Sequence, residues 1–203
     1  MWIPWSSIGS SLCVILGEVS ELSPGFLIAP PLKIRTLVAE DLPQIQQIYA
    51  HHVLHGTGSW EWEPPSLEEM NARAQSVQEK GLPFLVAEVA GQITGYAYAS
   101  PYRPRAGYRF TLEDSVYLHP EFSKQGIGLQ LLQELLAQCV ALGYREMIAV
   151  IGDSANLASI RLHERAGFVE VGVFRNIGFK FGSYLDSVYM QAQLNTPENP
   201  PLI

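Results

Sequence analysis

The stretch SVYLHPEFSKQGIG, residues 115–128, predicts a β-strand, a turn and the beginning of a long helix. His119-Pro120 ends the strand, because proline lacks the N–H that a sheet hydrogen bond needs. Beyond the glycines, leucines recur at helical spacing from Leu129 to Leu136. The segment 124–128 therefore lies at a helix N-terminus, where free backbone N–H groups and the helix dipole favour a phosphate.

By itself this segment leaves two interpretations equally open, a phosphate site and an ordinary strand-to-helix turn. It is not a P-loop, since no Gly-Lys-Ser/Thr follows the glycines. It is not a dinucleotide-binding fingerprint either, since the third glycine of that pattern is missing. The choice between the two interpretations depends on the rest of the chain.

The composition is that of an ordinary globular domain with an acidic balance. The chain has 203 residues, 47% of them hydrophobic, and a formal net charge of −7. This length supports one domain with a single core. The sequence contains no run of Lys and Arg, which argues against a nucleic-acid interface. Cys13 and Cys139 are far apart and fit no metal-binding spacing, so we expect neither a metal site nor a disulfide framework.

The two ends of the chain differ from its middle. Residues 1–32 are apolar and contain no Lys or Arg, but prolines and two glutamates interrupt them. They match neither a secretory signal nor a membrane span. We expect residues 1–32 to be a poorly ordered extension, with a strap packed on the surface as the alternative. The proline-rich residues 195–203 should form a frayed C-terminal tail.

Residues 33–194 show the pattern of one α/β domain, in the order β-α-α-β-β-β-α-β-α-β-β. Ser66 and Glu69 form a capping-box pattern where the second helix begins. The β-prone runs 84–89 and 93–100 are separated by Ala-Gly-Gln, which predicts a hairpin. Ser154 is the candidate cap of the last helix, and Gly167 lies just beyond the end of that helix.

Two segments in combination resemble a known family. The first is residues 115–128, and the second is DSANLASIRLHERAGFVEVG, residues 153–172. Together they are similar to the GCN5-related N-acetyltransferase (GNAT) superfamily. TLEDSVYLHP, SIRLHERAGF and GFKFGSYLD further resemble its phosphinothricin and methionine sulfone acetyltransferase branch. The resemblance implies the GNAT acyl-CoA N-acyltransferase fold, with a mixed, mostly antiparallel central sheet flanked by helices. It also implies acetyl-CoA as co-substrate, no metal, a cytoplasmic location and a homodimer.

The resemblance assigns an acetyl-CoA site to three segments. Val116, Tyr117 and Leu118 match the strand whose backbone binds the pantetheine arm. The residues that match the pyrophosphate loop are Ser123, Lys124, Gln125, Gly126, Ile127 and Gly128. Asn156 and Ser159 match the pair that lines the pantetheine arm, and their three-residue spacing places both on one helical face. The loop departs from the family pattern, which has Arg or Gln at Ser123 and glycine at Lys124. We expect the charge of Lys124 to offset the lost contact.

Glu113 is the candidate general base. The branch carries Thr-x-Glu before the cofactor strand, and Thr111 and Glu113 match it. Glu113 and Asp114 are adjacent on a strand, so one should face the cleft and the other solvent. A carboxylate in a partly dry cleft has a raised pKa and accepts a proton more readily, whereas the alternative is a solvated acid at a strand end. His163 belongs to the Leu-His-Glu of the branch, where it could protonate the departing thiolate or simply bond the cofactor.

The candidate substrate-binding residues are Trp60, Arg103, Arg105, Tyr108 and Thr111. The two arginines could grip a carboxylate or a sulfonyl-like group, and the aromatic side chains could wall the pocket. Lys180 and Tyr184, in the segment 178–186, are further candidates for which a surface role is equally open. Leu185 stands where family members often have histidine.

These residues predict an N-acetyltransferase that moves the acetyl group of acetyl-CoA to the amine of a small amino acid or analogue. The amine attacks directly with general-base help, so no nucleophilic enzyme residue is needed. The alternatives are an acetyltransferase for protein N-termini or polyamines, and a non-catalytic acyl-CoA-binding module. An acidic chain suits polyamines, whereas the arginines before Thr111 favour an anionic substrate. We expect neither a nucleic acid nor a membrane as partner.

Overall fold

The computed structural model describes residues 31–195, which form one seven-stranded sheet with helices on both faces. The expectations for the first 30 residues and for residues 196–203 lie outside this range. In chain order the elements are β1 Lys33–Thr36, α1 Leu42–His55, α2 Leu67–Glu79, β2 Phe84–Val89, β3 Gln92–Pro101, β4 Thr111–Leu118, α3 Ile127–Ala141, β5 Glu146–Gly152, α4 Leu157–Arg165, β6 Val169–Lys180 and β7 Ser183–Gln193. Of these described helices, none is long and apolar enough to cross a membrane.

The sheet is mixed, and its strands run in the order β1-β2-β3-β4-β5-β7-β6. β4 and β5 are parallel neighbours, while every other neighbouring pair is antiparallel. The predicted mixed and mostly antiparallel sheet flanked by helices is therefore confirmed.

Local signals explain several element boundaries. Ser66 Oγ accepts a hydrogen bond from the Glu69 N–H at 3.1 Å, as expected of a helix N-cap. Ala90 and Gly91 both have positive φ, which is the geometry of a tight hairpin turn between β2 and β3. The prediction that Ser154 caps α4 is wrong. Asn156 is the N-cap, and Ser154 Oγ instead donates to the Asp186 carboxylate at 2.8 Å.

The two faces of the sheet carry different helices, and β4 contributes to both. On one face, Tyr117 packs edge-on against Tyr49 of α1, with ring centroids 5.0 Å apart. On the other face, Asp114 contacts His163 of α4, and Leu118 contacts Gly128 of α3. Since side chains alternate along a strand, Glu113 and Ser115 share the α1 face with Tyr117.

β4 and β5 separate partway along the sheet. Within residues 31–195 they pair only over Thr111–Glu113, opposite Glu146–Ile148. Beyond Glu113 the backbone of β4 is bound to β3 on one side only. This leaves a strand edge from Asp114 to Leu118 that no other strand pairs on the β5 side. The Leu118 carbonyl oxygen is bound by His52 Nε2 at 2.8 Å, and the other backbone groups facing that side are available to a ligand.

Candidate functional site

The loop between β4 and α3 has the geometry of an anion site. Lys124 and Gly126 adopt left-handed conformations, with φ of 62° and 82°, and Gly126 is the N-cap of α3. The first N–H groups of α3 have no intrahelical partner, as at any helix N-terminus. Ser123 to Gly126 are exposed, and a Cβ added at Gly126 would meet nothing within 4 Å. Lys124 holds a conformation that suits glycine, which gives a physical reason for the glycine of the family pattern.

The end of this loop is buried rather than open. Ile127 is 5% exposed, so only its backbone N–H can face a ligand. A Cβ added at Gly128 would lie 3.2 Å from Leu118 Cδ1 and 3.5 Å from Leu162 Cδ2. The absence of a side chain at Gly128 thus lets β4, α3 and α4 converge where the candidate cofactor residues meet.

α4 presents its N-terminus to the same region. Asn156 Oδ1 accepts a hydrogen bond from the Ser159 N–H at 3.2 Å. Asn156 therefore precedes the helix as its cap, and does not share a helical face with Ser159 as the spacing suggested. Its side-chain amide N–H groups and the Ser159 hydroxyl, both in half-buried residues, are the groups that a ligand could use.

Glu113 lies at the last paired position of β4, where the two strands begin to separate. Its side chain is 30% exposed, and its carboxylate lies 3.8 Å from the Arg103 guanidinium. Burial raises the pKa of Glu113, the positive charge of Arg103 opposes that rise, and the negative charge of Asp114 adds to it. The net pKa is raised, which is the direction that suits a base working near neutral pH.

Asp114, which faces away from the cleft, is buried. The expectation that one acid of the pair faces the cleft and the other faces solvent is therefore wrong for Asp114. It is 7% exposed, and its Oδ2 lies 3.0 Å from His163 Nε2. His163 is itself buried, and its Nδ1 lies 2.8 Å from the Ser159 carbonyl oxygen. Both ring nitrogens thus have partners within the protein, so the predicted acid role of His163 would require breaking one of these bonds.

An aromatic cleft of about 420 Å³ lies on the same face of the sheet as Glu113. Glu113 is opposite Ile148 in β5. Val150 lies two residues further along β5, on the same face, and is opposite Tyr189 of β7. Residues two apart in a strand are separated by about 7 Å, so the cleft adjoins Glu113. It is lined by Trp60, Trp62, Val150, Ile177, Gly178, Phe179, Ser187 and Tyr189.

The loop that carries Trp60 is held firmly by groups that the sequence did not single out for this role. Lys180 Nζ donates to the carbonyl oxygens of Gly56 and Ser59, at 2.9 and 2.7 Å. The Ser59 hydroxyl also bonds the Tyr49 hydroxyl at 2.9 Å. Lys180 is 2% exposed, so the surface role that remained open for it is wrong. Burial lowers the pKa of Lys180.

Two glycines allow this loop to approach the sheet. The ring of Trp60 lies over Gly178, and the Thr57 backbone lies against Gly152. The segment GFKFG, residues 178–182, contains the signal for this packing, since a glycine and a lysine two residues apart point to the same face of β6. The partners of Gly178 and Lys180 lie far away in sequence, so only the fold reveals them.

The other candidate substrate residues lie around the entrance to Glu113. Arg103, Arg105 and Tyr108 are exposed in the segment before β4. The Arg103 guanidinium stacks 4.2 Å from the centroid of the Tyr102 ring, which keeps it near Glu113. Thr111 begins β4 and is half-buried, whereas Tyr184 is 70% exposed in β7. In residues 31–195 no three His, Cys, Asp or Glu side chains are grouped to hold a metal ion.

Known proteins are similar to this chain in sequence and in fold. The model of the acetyltransferase (GNAT) family matches residues 44–168. The phosphinothricin N-acetyltransferase of Alcaligenes faecalis is 52% identical over 162 residues, covering 80% of this chain and 82% of that protein. The L-methionine sulfoximine/L-methionine sulfone acetyltransferase of Salmonella typhimurium is 37% identical, covering 83% and 98%. A crystal structure of a phosphinothricin acetyltransferase from Sinorhizobium meliloti with acetyl-CoA superimposes with a TM-score of 0.82, at 44% identity, covering 84% and 93%.

Proposed function

The chain belongs to the acetyltransferase (GNAT) family and is an acetyl-CoA-dependent N-acetyltransferase, and we propose that its acceptor is the amine of a small amino acid of the phosphinothricin and methionine sulfone class. The observation that carries this proposal is the position of Glu113. It is a half-buried carboxylate with a raised pKa, located between an arginine and an aromatic cleft.

We propose that acetyl-CoA is held by the groups that converge at the separation of β4 and β5. The edge of Val116–Leu118 that no strand pairs offers backbone groups to an amide-containing arm, apart from the Leu118 carbonyl oxygen, which His52 binds. The open loop at Ser123–Gly126 and the N–H groups of Ile127 and Gly128 suit its phosphates. Asn156 and Ser159 complete the site from α4. When bound, acetyl-CoA supplies a thioester-activated acetyl group for transfer to the amine.

Glu113 acts as the general base in this proposal. The amine of an amino acid is largely protonated at neutral pH and cannot attack until it loses that proton. Glu113 accepts the proton, directly or through a water molecule, and burial raises the pKa of this carboxylate toward the pH at which it must work. Direct attack is also favoured because the one cysteine among the described residues, Cys139, is fully buried, and burial raises the pKa of its thiol to about 12.

Acceptor recognition is divided between two sides of Glu113. Arg103 and Arg105 are available to the carboxylate of an amino acid, with which a guanidinium forms strong paired hydrogen bonds. The aromatic cleft beyond Trp60 accommodates an apolar stem. A polyamine would place its cationic groups beside these arginines, so the local charge disfavours the polyamine alternative even though the chain as a whole is acidic.

The test combines a substrate panel with removal of the base. Phosphinothricin, methionine sulfone, an unmodified amino acid, spermidine and a peptide with a free N-terminus are compared by kcat/KM. The proposal expects the first two to be the best acceptors, and it is overturned if spermidine or the peptide is preferred. Glu113→Gln should lower kcat/KM by about 10²–10⁴-fold at pH 7, with partial recovery at higher pH and nearly unchanged acetyl-CoA affinity. Glu134→Gln, at an exposed glutamate of α3, is the matched control.

We also propose that the enzyme is a homodimer that pairs through β6. This strand is an edge of the sheet and exposes a row of apolar side chains, namely Val169, Val171, Phe174, Ile177 and Phe179. Such a patch on an edge strand is typical of a protein–protein contact. Val171→Glu, at an exposed position of this strand outside the aromatic cleft, should convert the protein to monomers in sedimentation velocity. Leu142→Glu, at an exposed leucine just beyond α3, should leave the oligomeric state unchanged. A wild-type protein that sediments as a monomer would contradict the proposal.

A further inference from the structure

A buried acid–histidine pair connects the strand of the candidate base to the helix of the candidate cofactor site. Asp114 Oδ2 and His163 Nε2 are 3.0 Å apart, and the two residues are 49 positions apart in sequence. Asp114 is adjacent to Glu113 but points to the opposite face of β4. His163 lies in the last turn of α4, one turn after Ser159.

The two nearest bonding partners of His163 limit the number of protons in the pair, while the Ser159 hydroxyl is a longer contact of Nδ1 at 3.4 Å. The Ser159 carbonyl oxygen can only accept, and an ionised Asp114 carboxylate can only accept. A neutral imidazole has one N–H and can satisfy only one of them. Both bonds therefore exist together only when the pair carries one further proton, either on the ring or shared between Nε2 and Oδ2.

The surroundings of the pair favour retention of that proton. Burial by itself lowers the pKa of His163, but the hydrogen bond and negative charge of Asp114 outweigh burial, so the pKa is raised. Two other titratable groups lie near the pair. Cys139 of α3 stays a neutral thiol because burial raises its pKa to about 12, and Glu113, on the opposite face of β4, interacts with the charge of Asp114. The Phe168 ring, beyond the end of α4, packs edge-on against the imidazole with centroids 5.0 Å apart.

This contact helps to position α4, together with Ile160 and Leu162, which pack half-buried against the core. The helix has only nine residues, and His163 is its one fully buried residue. A helix of that length is not stable without tertiary packing. The other oxygen of Asp114, Oδ1, is buried and has no hydrogen-bond partner within the described chain. The carboxylate is therefore held chiefly by His163.

We propose that Asp114 and His163 form a positioning pair that holds α4 against β4 and thereby sets the width of the acetyl-CoA site. A continuous series of hydrogen bonds runs from Asp114 through His163 to the Ser159 carbonyl, and the Ser159 N–H is in turn bound by Asn156. Loss of the pair releases Asn156 and Ser159 from their places beside the edge of β4. This inference rests on the proposed cofactor site and assigns His163 a role in holding the helix, with neither ring nitrogen free for the thiolate.

The proposal makes the acetyl-CoA affinity depend on pH in a defined direction. Because the folded-state pKa of His163 is raised, the pair is intact below the ordinary histidine value of about 6.5. One of the two hydrogen bonds of His163 is lost as pH rises through the raised pKa, because a neutral imidazole can donate to only one of the two acceptors. The acetyl-CoA dissociation constant of the wild-type protein should therefore increase on the alkaline side, a change that calorimetric titration measures directly.

Three variants separate positioning from general stability. Asp114→Ala should weaken acetyl-CoA binding by about tenfold or more, which is the loss of one charged hydrogen bond. Saturating acetyl-CoA should restore most of its activity, and the acidic limb of kcat should move to lower pH, because the charge of Asp114 no longer raises the pKa of Glu113. Asp114→Asn can donate its amide N–H to a neutral Nε2, so it should retain affinity and lose the alkaline weakening. Cys139→Ala, in the same buried region, should lower the free energy of unfolding and leave the acetyl-CoA affinity unchanged.

Two outcomes would overturn the proposal. One is a folded Asp114→Ala protein whose acetyl-CoA affinity equals that of wild type. The other, which needs no variant, is an NMR titration in which His163 of the native protein has a pKa at or below the ordinary histidine value. A wrong assignment of the cofactor site is recognised separately. In that case Gly126→Asp would leave the acetyl-CoA affinity intact, independently of the Asp114 and His163 variants.

Discussion

Replacing Gly178 by alanine tests whether Trp60 forms a wall of the acceptor site. A Cβ at Gly178 would overlap Cζ3 and Cη2 of the indole and would lie 2.7 Å from Cε3. Ordinary contact begins at 3.4 Å, and the two nearest atoms, Cζ3 and Cη2, set how far the indole must retreat. A shift of about 1 Å is required in a loop that Lys180 and Tyr49 hold in place.

Two measurable losses follow from that shift. Overpacking of this kind costs about 1–3 kcal/mol of the free energy of unfolding, or roughly 2–12 °C in Tm for a domain of this size. A displacement of about 1 Å near reacting groups costs up to ~10²-fold in rate, so acceptor kcat/KM should fall by about 10- to 100-fold. The acetyl-CoA KM should change little, because Gly178 lies on β6, away from the β4 edge and α4.

Gly172→Ala is the matched control on the same strand, since a Cβ there meets nothing within 4 Å. A double-mutant cycle adds a second control. In a Trp60→Ala protein the clash is absent, so Gly178→Ala should cause almost no further loss of kcat/KM. If Gly178→Ala and Gly172→Ala have the same acceptor kcat/KM, the assignment of Trp60 to the acceptor site is refuted.

Three further predictions concern other parts of the molecule. Gly126→Asp should weaken acetyl-CoA binding in calorimetry by about tenfold or more, because it adds a negative charge at a helix N-terminus and a side chain at a φ of 82°; an unchanged affinity would exclude the loop. Arg103→Ala and Arg105→Ala should each raise the KM for an amino acid acceptor by roughly 10- to 150-fold. Only Arg103→Ala should also move the acidic limb of kcat/KM to higher pH, because the charge of Arg103 opposes the rise in the pKa of Glu113. Asp41→Asn should lower the free energy of unfolding by about 1–3 kcal/mol at pH 7, since two bonds from Arg35, at 2.6 and 2.8 Å, lose their charged partner. Burial by itself raises the pKa of Asp41, but these hydrogen bonds outweigh burial and lower the pKa. The stabilisation is therefore present above the unfolded-state pKa of about 3.9 and disappears as pH falls through the native-state pKa. Chemical denaturation at pH 7 and pH 3 measures the difference.

Patterns confined to a few neighbouring residues determined the order of elements and the region of the site. Leucine spacing and a glycine at the helix cap predicted α3 and its N-terminal loop, and both are present within one or two residues. The alternation of a strand correctly placed Glu113 and Asp114 on opposite faces. These predictions succeeded because periodicity, caps and backbone preferences are properties of short segments.

Contacts between distant segments were decided by the tertiary structure alone. Sequence alternation could not reveal that the face opposite Glu113 is covered by α4, so Asp114 was expected in solvent and is instead bound to His163. Nor could it reveal that Lys180 reaches carbonyl groups more than a hundred residues away. A short segment encodes which way its side chains point, but the partner at the other end depends on how every helix and strand packs around a common core.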